Sequence, residues 1–415
     1  MTTKSVLGIA LALLFSQASA QQSDDEVALA IADSIVAPEA RSSEWHAKVE
    51  AGVQKAADPS FALGHLSFDV MVDHKVAPSL SFVFADRLDV NRGSSSAYDS
   101  TVNTLKEAYG SVSYSSERII DFGRINVRSG VAFGYNPTDF FRAGSIRTIS
   151  SIDPESLRSN RLGSVMLRGQ TLSEAGSLTM LYSPKLAGTP STAPFDIDLG
   201  ATNAVDRWQV ALSPRLGTTS SSTLLIFGEK GQSPTVGVNQ TWAVGGSTVA
   251  YIEAASRKSI ALLDRALARP AQKALYTQLA AGLRITTAQK QSITLEYEYS
   301  GASLSRAQWD VLRSRGQADY ARYRQWLDYA QELPTKQALF IYGNWQDAGV
   351  AHFDVSVMTR RDMADRSHLD WIEGRYRMSR ADLILQGQRN RGDARSTFGA
   401  LPNSNILVIK LLTYF

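Results

Sequence analysis

Asn405-Ile-Leu-Val-Ile-Lys-Leu-Leu-Thr-Tyr-Phe415 closes the chain and reads as one β-strand, with Leu407, Ile409, Leu411, Thr413 and Phe415 on one face of a period-two pattern. Its length suits a strand that crosses a bilayer at a tilt, roughly 9–11 residues, and it ends in an aromatic ring suited to the bilayer edge. The opposite face carries Ile406, Val408, Lys410, Leu412 and Tyr414. The chain upstream is expected to form the sheet that this strand closes.

The same period runs backward through most of the sequence. Trp45, Ala47, Val49, Ala51 and Val53 alternate with polar neighbours, as do Leu66, Phe68, Val70 and Val72, then Leu80, Phe82, Phe84 and Leu88. Asp86 interrupts the apolar face, which places it near a rim. Ile293, Leu295, Tyr297 and Tyr299 alternate cleanly with Thr294, Glu296 and Glu298. Short turns such as Lys75 to Pro78, Ser173 to Gly176 and Ser379-Arg380 take turns with longer connections, including Asn91 to Thr104, Ser129 to Arg161, Leu186 to Ala204, Gly301 to Lys336 and Gly392 to Ser404. A membrane barrel sorts its loops in this way, and a soluble sandwich has no reason to. The fold class is therefore all-β: a transmembrane antiparallel up-and-down β-barrel of about 18 strands, with about 16 as the next choice.

The amino terminus adds a compartment. Lys4, the apolar run Val6 to Phe15 and Ala18-Ser19-Ala20 form an export signal over residues 1–20, cleaved before Gln21. Residues 21–43 are expected to be a periplasmic segment holding a short helix at about Asp24 to Val36, where Ser23 and Glu26 make a capping box and Pro38 ends the turn. The barrel takes residues 44–415. Cysteine is absent, which removes thiolate metal sites and cysteine nucleophiles. A net charge of +3, from 43 basic and 40 acidic residues, provides no field for nucleic acid.

The export signal, the alternating strands, the sorted loops and Phe415 together resemble Gram-negative porin-like outer-membrane barrels, over Trp45 to Phe415. Many closing strands of that class carry an aromatic two residues before the end, where this chain has Thr413. The resemblance implies a place in the outer membrane, contact with its lipid, and recognition of the C-terminal strand by the barrel-assembly machinery.

Arginine on lipid at mid-bilayer costs about 2–4 kcal/mol, so the charged strand residues are expected to face the lumen. The expected pore-lining set is Arg87, Glu107, Arg124, Arg128, Arg168, Arg207, Arg284, Glu296, Glu298, Asp354, Glu373 and Arg375. In the loop Ser129 to Arg161, the stretch Gly134-Tyr-Asn-Pro-Thr-Asp-Phe-Phe-Arg142 has compact turn chemistry, and Asn136, Asp139 and Arg142 are expected to form a constriction. The loop Gly301 to Lys336 reads as helical, with Trp309, Tyr320, Tyr323, Trp326 and Tyr329 as a lid packed on the rim. Val408 and Leu412 leave an apolar patch on the inner wall, which the stripe Val27, Ile31 and Ile35 is expected to cover from the periplasmic side.

None of the five histidines makes a metal-type pair, so neither metal nor cofactor is expected, and an enzyme would need a Ser and His pair on neighbouring strands. The reading that follows is a channel for passive or substrate-selective passage of small polar solutes. The alternative is a plugged surface barrel that binds envelope glycan or a partner, or that exports polysaccharide.

Overall fold

A computed structural model describes residues 44–57, 60–96 and 99–415 of the chain. The expected export signal, the helix at Asp24 to Val36 and the plug residues Val27, Ile31 and Ile35 lie outside these residues. The described residues form 18 antiparallel strands. The first are β1 (Trp45–Ala57), β2 (Ser60–Ala77), β3 (Leu80–Gly93), β4 (Ser100–Ser115), β5 (Arg118–Ile125) and β6 (Ser164–Ser173). Next come β7 (Gly176–Ser183), β8 (Arg207–Pro214), β9 (Ser220–Glu229), β10 (Thr235–Val244), β11 (Thr248–Ser259) and β12 (Ala274–Thr286). The last are β13 (Gln291–Ser300), β14 (Gln337–Trp345), β15 (Phe353–Asp362), β16 (His368–Arg377), β17 (Ala381–Arg391) and β18 (Asn405–Tyr414).

Each strand pairs with the next, and β18 returns to β1 with Val53 opposite Ile409. Phe415 extends that last ladder, because its N–H donates to the Ala47 carbonyl (2.9 Å) and its carbonyl accepts from Ala47 (3.2 Å). Among the described residues no sheet edge is left, as closure into a barrel requires. The apolar face of β18 points outward: Leu407, Ile409 and Leu411 are exposed, while Lys410 on the other face is buried. A wheel of exposed Phe82, Phe122, Leu167, Ile226, Leu295, Ile372 and Leu385 continues this belt around the wall. Among the described residues no helix is long and apolar enough to cross a membrane, so any crossing is made by strands.

Turns of a few residues join the strands at the end where Phe415 lies, and the long connections stand at the other end. The front of the wall is taller than the sequence suggested. β3 and β4 run on to Gly93 and from Ser100, leaving a short connection where Asn91 to Thr104 was expected to be a long one. β5 is shorter than expected and stops at Ile125, where the chain leaves the wall. Asp86 sits at an irregularity in the β3–β4 register, and its Oδ1 accepts from Asn103 Nδ2 at 3.0 Å, so its outward carboxylate has a local partner within the sheet.

An arginine at Ile409, in the middle of the outward face of β18, is expected to destabilise the barrel by about 2–4 kcal/mol, whereas Asn405→Arg at the strand end costs ~0–1 kcal/mol. The measurement is the denaturant midpoint of the folded band in lipid. Equal shifts for the two variants would contradict the lipid-facing assignment.

Candidate functional site

Residues 126–163, between β5 and β6, fold into the lumen and reach the opposite wall. Two inward carboxylates receive them. Glu253 of β11 accepts from the backbone N–H groups of Val131 (2.8 Å), Ala132 (3.0 Å) and Thr138 (2.7 Å), and from Thr138 Oγ1 (2.9 Å) and Asn136 Nδ2 (3.3 Å). Glu296 of β13 accepts from Phe133 N (2.8 Å), Gly134 N (3.1 Å), Tyr135 N (3.0 Å) and Tyr251 Oη (2.7 Å). Both carboxylates are fully buried, so this nest of donors replaces the water they have lost. A side chain at Gly134 would collide with Glu298 and Phe340, which is why the chain can pass so close to the wall only at a glycine.

The segment is also braced from within. Asp139 pairs with Arg161 (2.8 Å), and the Asn136 amide donates to the Ala132 carbonyl (2.6 Å). The Arg142 guanidinium donates to the Asn136 carbonyl, lies over the Tyr135 ring (5.2 Å) and reaches Glu332 at 2.8 Å. Burial alone would lower the Arg142 pKa, but the Glu332 carboxylate overcomes it and holds the group above its ordinary value. Burial, and then Glu332, pushes the Tyr135 phenol well above its usual range. Farther on, Asp153 caps the helix Pro154–Ser159, and the Ser150 carbonyl accepts from Lys410 of β18 (2.6 Å).

Asn136, Asp139 and Arg142, the residues expected to form a constriction, are all buried on this segment. Of the residues expected to line a pore, Glu296 and Glu298 are buried inward, Glu298 being paired with Arg360 (2.8 Å). Arg87 binds Asp89 (3.0 Å) and Ser67 (2.8 Å), Arg168 binds Asp121 (2.6 Å), and Arg207 lies over the Phe141 ring (4.7 Å). Arg284 lies over Phe133 (5.4 Å), Arg375 bridges Glu373 (3.0 Å) and Asp382 (3.5 Å), and Asp354 meets Arg377 (2.8 Å). Glu107 pairs in register with the buried Ala85. The interior charges are mostly matched across strands.

Two residues depart from the expectation. Arg124 follows the outward Phe122 at a period of two, and its guanidinium is taken up by the carbonyls of Gly163 (3.1 Å) and Ile197 (2.6 Å); it seals the seam left where β5 stops early. Arg128 lies beyond β5, within the segment, near Glu155 at 3.4 Å. Val408 and Leu412 face inward and are half-buried.

A cap closes over the segment from the loop side. Ser305 and Gln308 make the capping box of the helix Arg306–Arg315, which is followed by the helix Gln317–Ala330. Trp309, Leu312, Tyr323 and Leu327 pack with Leu262 and Leu304 in one apolar cluster, with Tyr320 and Trp326 at its edge. The aromatic residues of this loop therefore serve mainly as packing. Glu332 joins the cap to the segment and the wall, accepting from Arg142, Tyr135 Oη (2.7 Å) and Gln278 Nε2 (2.8 Å). Between cap, segment and wall lies a cavity of about 290 Å³ with Arg142, Arg207, Arg257, Arg265, Glu229 and Glu332 in its lining.

Sequence reasoning missed Glu253 and Glu332. It left open a hydrolase-like Ser and His pair, and the wall does place Ser67 Oγ 2.6 Å from His65 Nε2, with His65 Nδ1 2.7 Å from Asn91 Oδ1. Ser67 is nevertheless buried, donates its proton to Asp89 (2.6 Å) and accepts from Arg87 (2.8 Å). A nucleophile needs a free approach and a base that takes its proton, so this cluster suits a bonded wall better than catalysis. Among the described residues no group of side chains is arranged to hold a metal.

No protein-family model matches the chain, and no curated protein matches it. Solved structures do. OccK5 (OpdH) of Pseudomonas aeruginosa is similar at 9% identity and a TM-score of 0.54, covering 89% of this chain and 96% of that one. OccAB1 of Acinetobacter baumannii aligns at 7% identity with a TM-score of 0.56, over 89% and 95% of the two chains. OccD3 (OpdP) of Pseudomonas aeruginosa aligns at 11% identity with a TM-score of 0.51, over 90% and 91%. The chain shares the fold of these proteins, a closed antiparallel β-barrel, here of 18 strands among the described residues.

Proposed function

We propose that the protein is an outer-membrane channel through which small polar solutes pass, its lumen narrowed by residues 126–163. The observation that carries this reading is the anchoring of that segment across the lumen by Glu253 and Glu296 inside a closed 18-stranded wall. A barrel of this strand number is wider than side chains alone fill, so what occupies the lumen decides what passes. Paired charges along the wall keep the passage wet while leaving few bare charges to trap a solute. Likeness in fold to the solved porins supports the same reading. The test is planar-bilayer recording of the purified protein: discrete conductance steps are expected, and silence at every voltage would overturn the channel. Fractionation should place the protein in the outer membrane with heat-modifiable gel mobility, and recovery in the soluble periplasm would defeat the location.

One observation favours the second reading, a plugged barrel that engages glycan or a partner through its outer loops. The segment packs Phe140 and Phe141 against Phe227 on one side, and Phe133 and Ile152 against Phe340 and its neighbours on the other. Silence in the bilayer together with loss of ligand or partner binding on deletion of Ser305 to Tyr329 would select it.

A further inference from the structure

The outward face of β15, β16 and β17 carries three arginines at the end where the long loops stand. Arg361 lies opposite His368, His368 lies opposite Arg391, and Asp370 on the next outward position lies opposite Arg389. Adjacent strands are ~4.8 Å apart, so Arg361 and Arg391 are separated by about 10 Å across the row. Arg361, Arg389 and Arg391 are exposed, and among the described residues none of them makes an ion pair or a side-chain hydrogen bond. The flanking strands offer Gln337 and Leu339 on β14 and Asn405 on β18, none of them charged. Asp370 is the acidic group within the row; it accepts from Thr359 Oγ1 (2.8 Å) and stands 3.5 Å from His368 Nε2. Arg361 and Arg391 flank the β16 strand on either side and Arg389 lies one outward step from Arg391, so three guanidinium groups without an ion pair stand within reach of one anion from outside.

The same outward columns say where that anion would come from. Beneath the row stand Val357, Ile372, Leu383, Leu385, Leu407 and Ile409, all exposed and apolar. Arginine stems lying along an apolar belt lift their heads to the water interface, where a phosphate can be held by two parallel N–H bonds.

We propose that this face binds a phosphorylated acyl glycolipid of the leaflet facing the long loops, with its phosphates on Arg361, Arg389 and Arg391 and its acyl chains on the belt below. The proposal rests on the outer-membrane reading but is independent of conduction. The test titrates bisphosphorylated lipid A into the detergent-solubilised protein and follows complexes by native mass spectrometry. The triple variant R361Q/R389Q/R391Q is expected to weaken binding by about tenfold or more. A control that removes as many charges at the short-turn end, R118Q/R215Q/R380Q, should bind as the native protein does. Heat-modifiable mobility confirms that each variant is folded. Native affinity no higher for bisphosphorylated lipid A than for phosphatidylglycerol, or equal losses in the two triple variants, overturns the site. A native protein that is silent in the bilayer yet binds lipid A through these arginines would remove the channel and leave the lipid site standing.

Discussion

Replacing Glu253 and Glu296 together by alanine is expected to release residues 126–163 from the far wall and raise both the size and the noise of single-channel conductance. The reasoning starts from the donors. The backbone N–H groups of Val131, Ala132, Phe133, Gly134, Tyr135 and Thr138 have these two carboxylates as acceptors. Each hydrogen bond contributes ~0.5–1.5 kcal/mol net, and a buried donor left without a partner costs ~1–3 kcal/mol. Even after a generous discount for shared bonds, the double variant loses several times the ~1.4 kcal/mol that makes a factor of ten in an equilibrium. The released segment can recover those bonds only from water, which means swinging away from the wall. Glutamine at either position keeps one acceptor oxygen but aims an NH2 group at donors, so each single glutamine variant should lie between native and double alanine. The wall itself is held by its ladders and should keep its heat-modifiable mobility. A folded double variant with native conductance would show that the segment does not set the passage.

The wall was legible in the sequence because a barrel strand writes its two environments into alternate residues, and Ile293 to Tyr299 shows this most clearly. The site was legible only in part. Glu296 stands between tyrosine and leucine in that clean pattern, whereas Glu253 stands among Ile252, Ala254 and Ala255, where small apolar residues on both faces blur the period. Its partners are backbone donors well over a hundred residues earlier in the chain, and a backbone N–H leaves no side-chain signature. Asn136, Asp139 and Arg142 could be singled out because turn chemistry is local. The Arg142 partner could not, since Glu332 follows the second cap helix and meets Arg142 only once the cap has folded down. Arg124 was misplaced for another reason: it keeps the alternation and follows Phe122 onto the outward face, where the carbonyls of Gly163 and Ile197, which no strand pattern announces, take up its guanidinium.

That junction of cap and segment yields an ordering of variants. Glu332→Met is expected to loosen the cap more than Arg142→Met, and the double variant to be milder than the sum of the two. The asymmetry follows from what each change leaves behind. Without Arg142, the Glu332 carboxylate keeps Tyr135 Oη and Gln278 Nε2 as donors. Without Glu332, the Arg142 guanidinium stays buried with the Asn136 carbonyl, while nearby Asp139 is already held by Arg161. A buried ion left without its counter-charge costs ~3–5 kcal/mol, whereas removing both members of a buried pair is often close to neutral. The cap also touches the segment where Gly144 N donates to the Tyr329 carbonyl (2.9 Å) and Gln331 Nε2 to the Arg142 carbonyl (2.6 Å), so it should loosen rather than detach. Limited trypsin digestion measures this directly, since Arg306 and Arg322 are exposed on the cap helices and cleavage there needs local opening. The expected order of cleavage rates is E332M fastest, R142M next, and R142M/E332M slower than the product of the single effects predicts. Strictly additive effects, or R142M faster than E332M, would mean that the charge pair does not hold the cap to the segment and that the backbone contacts at Gly144 and Gln331 carry the junction alone.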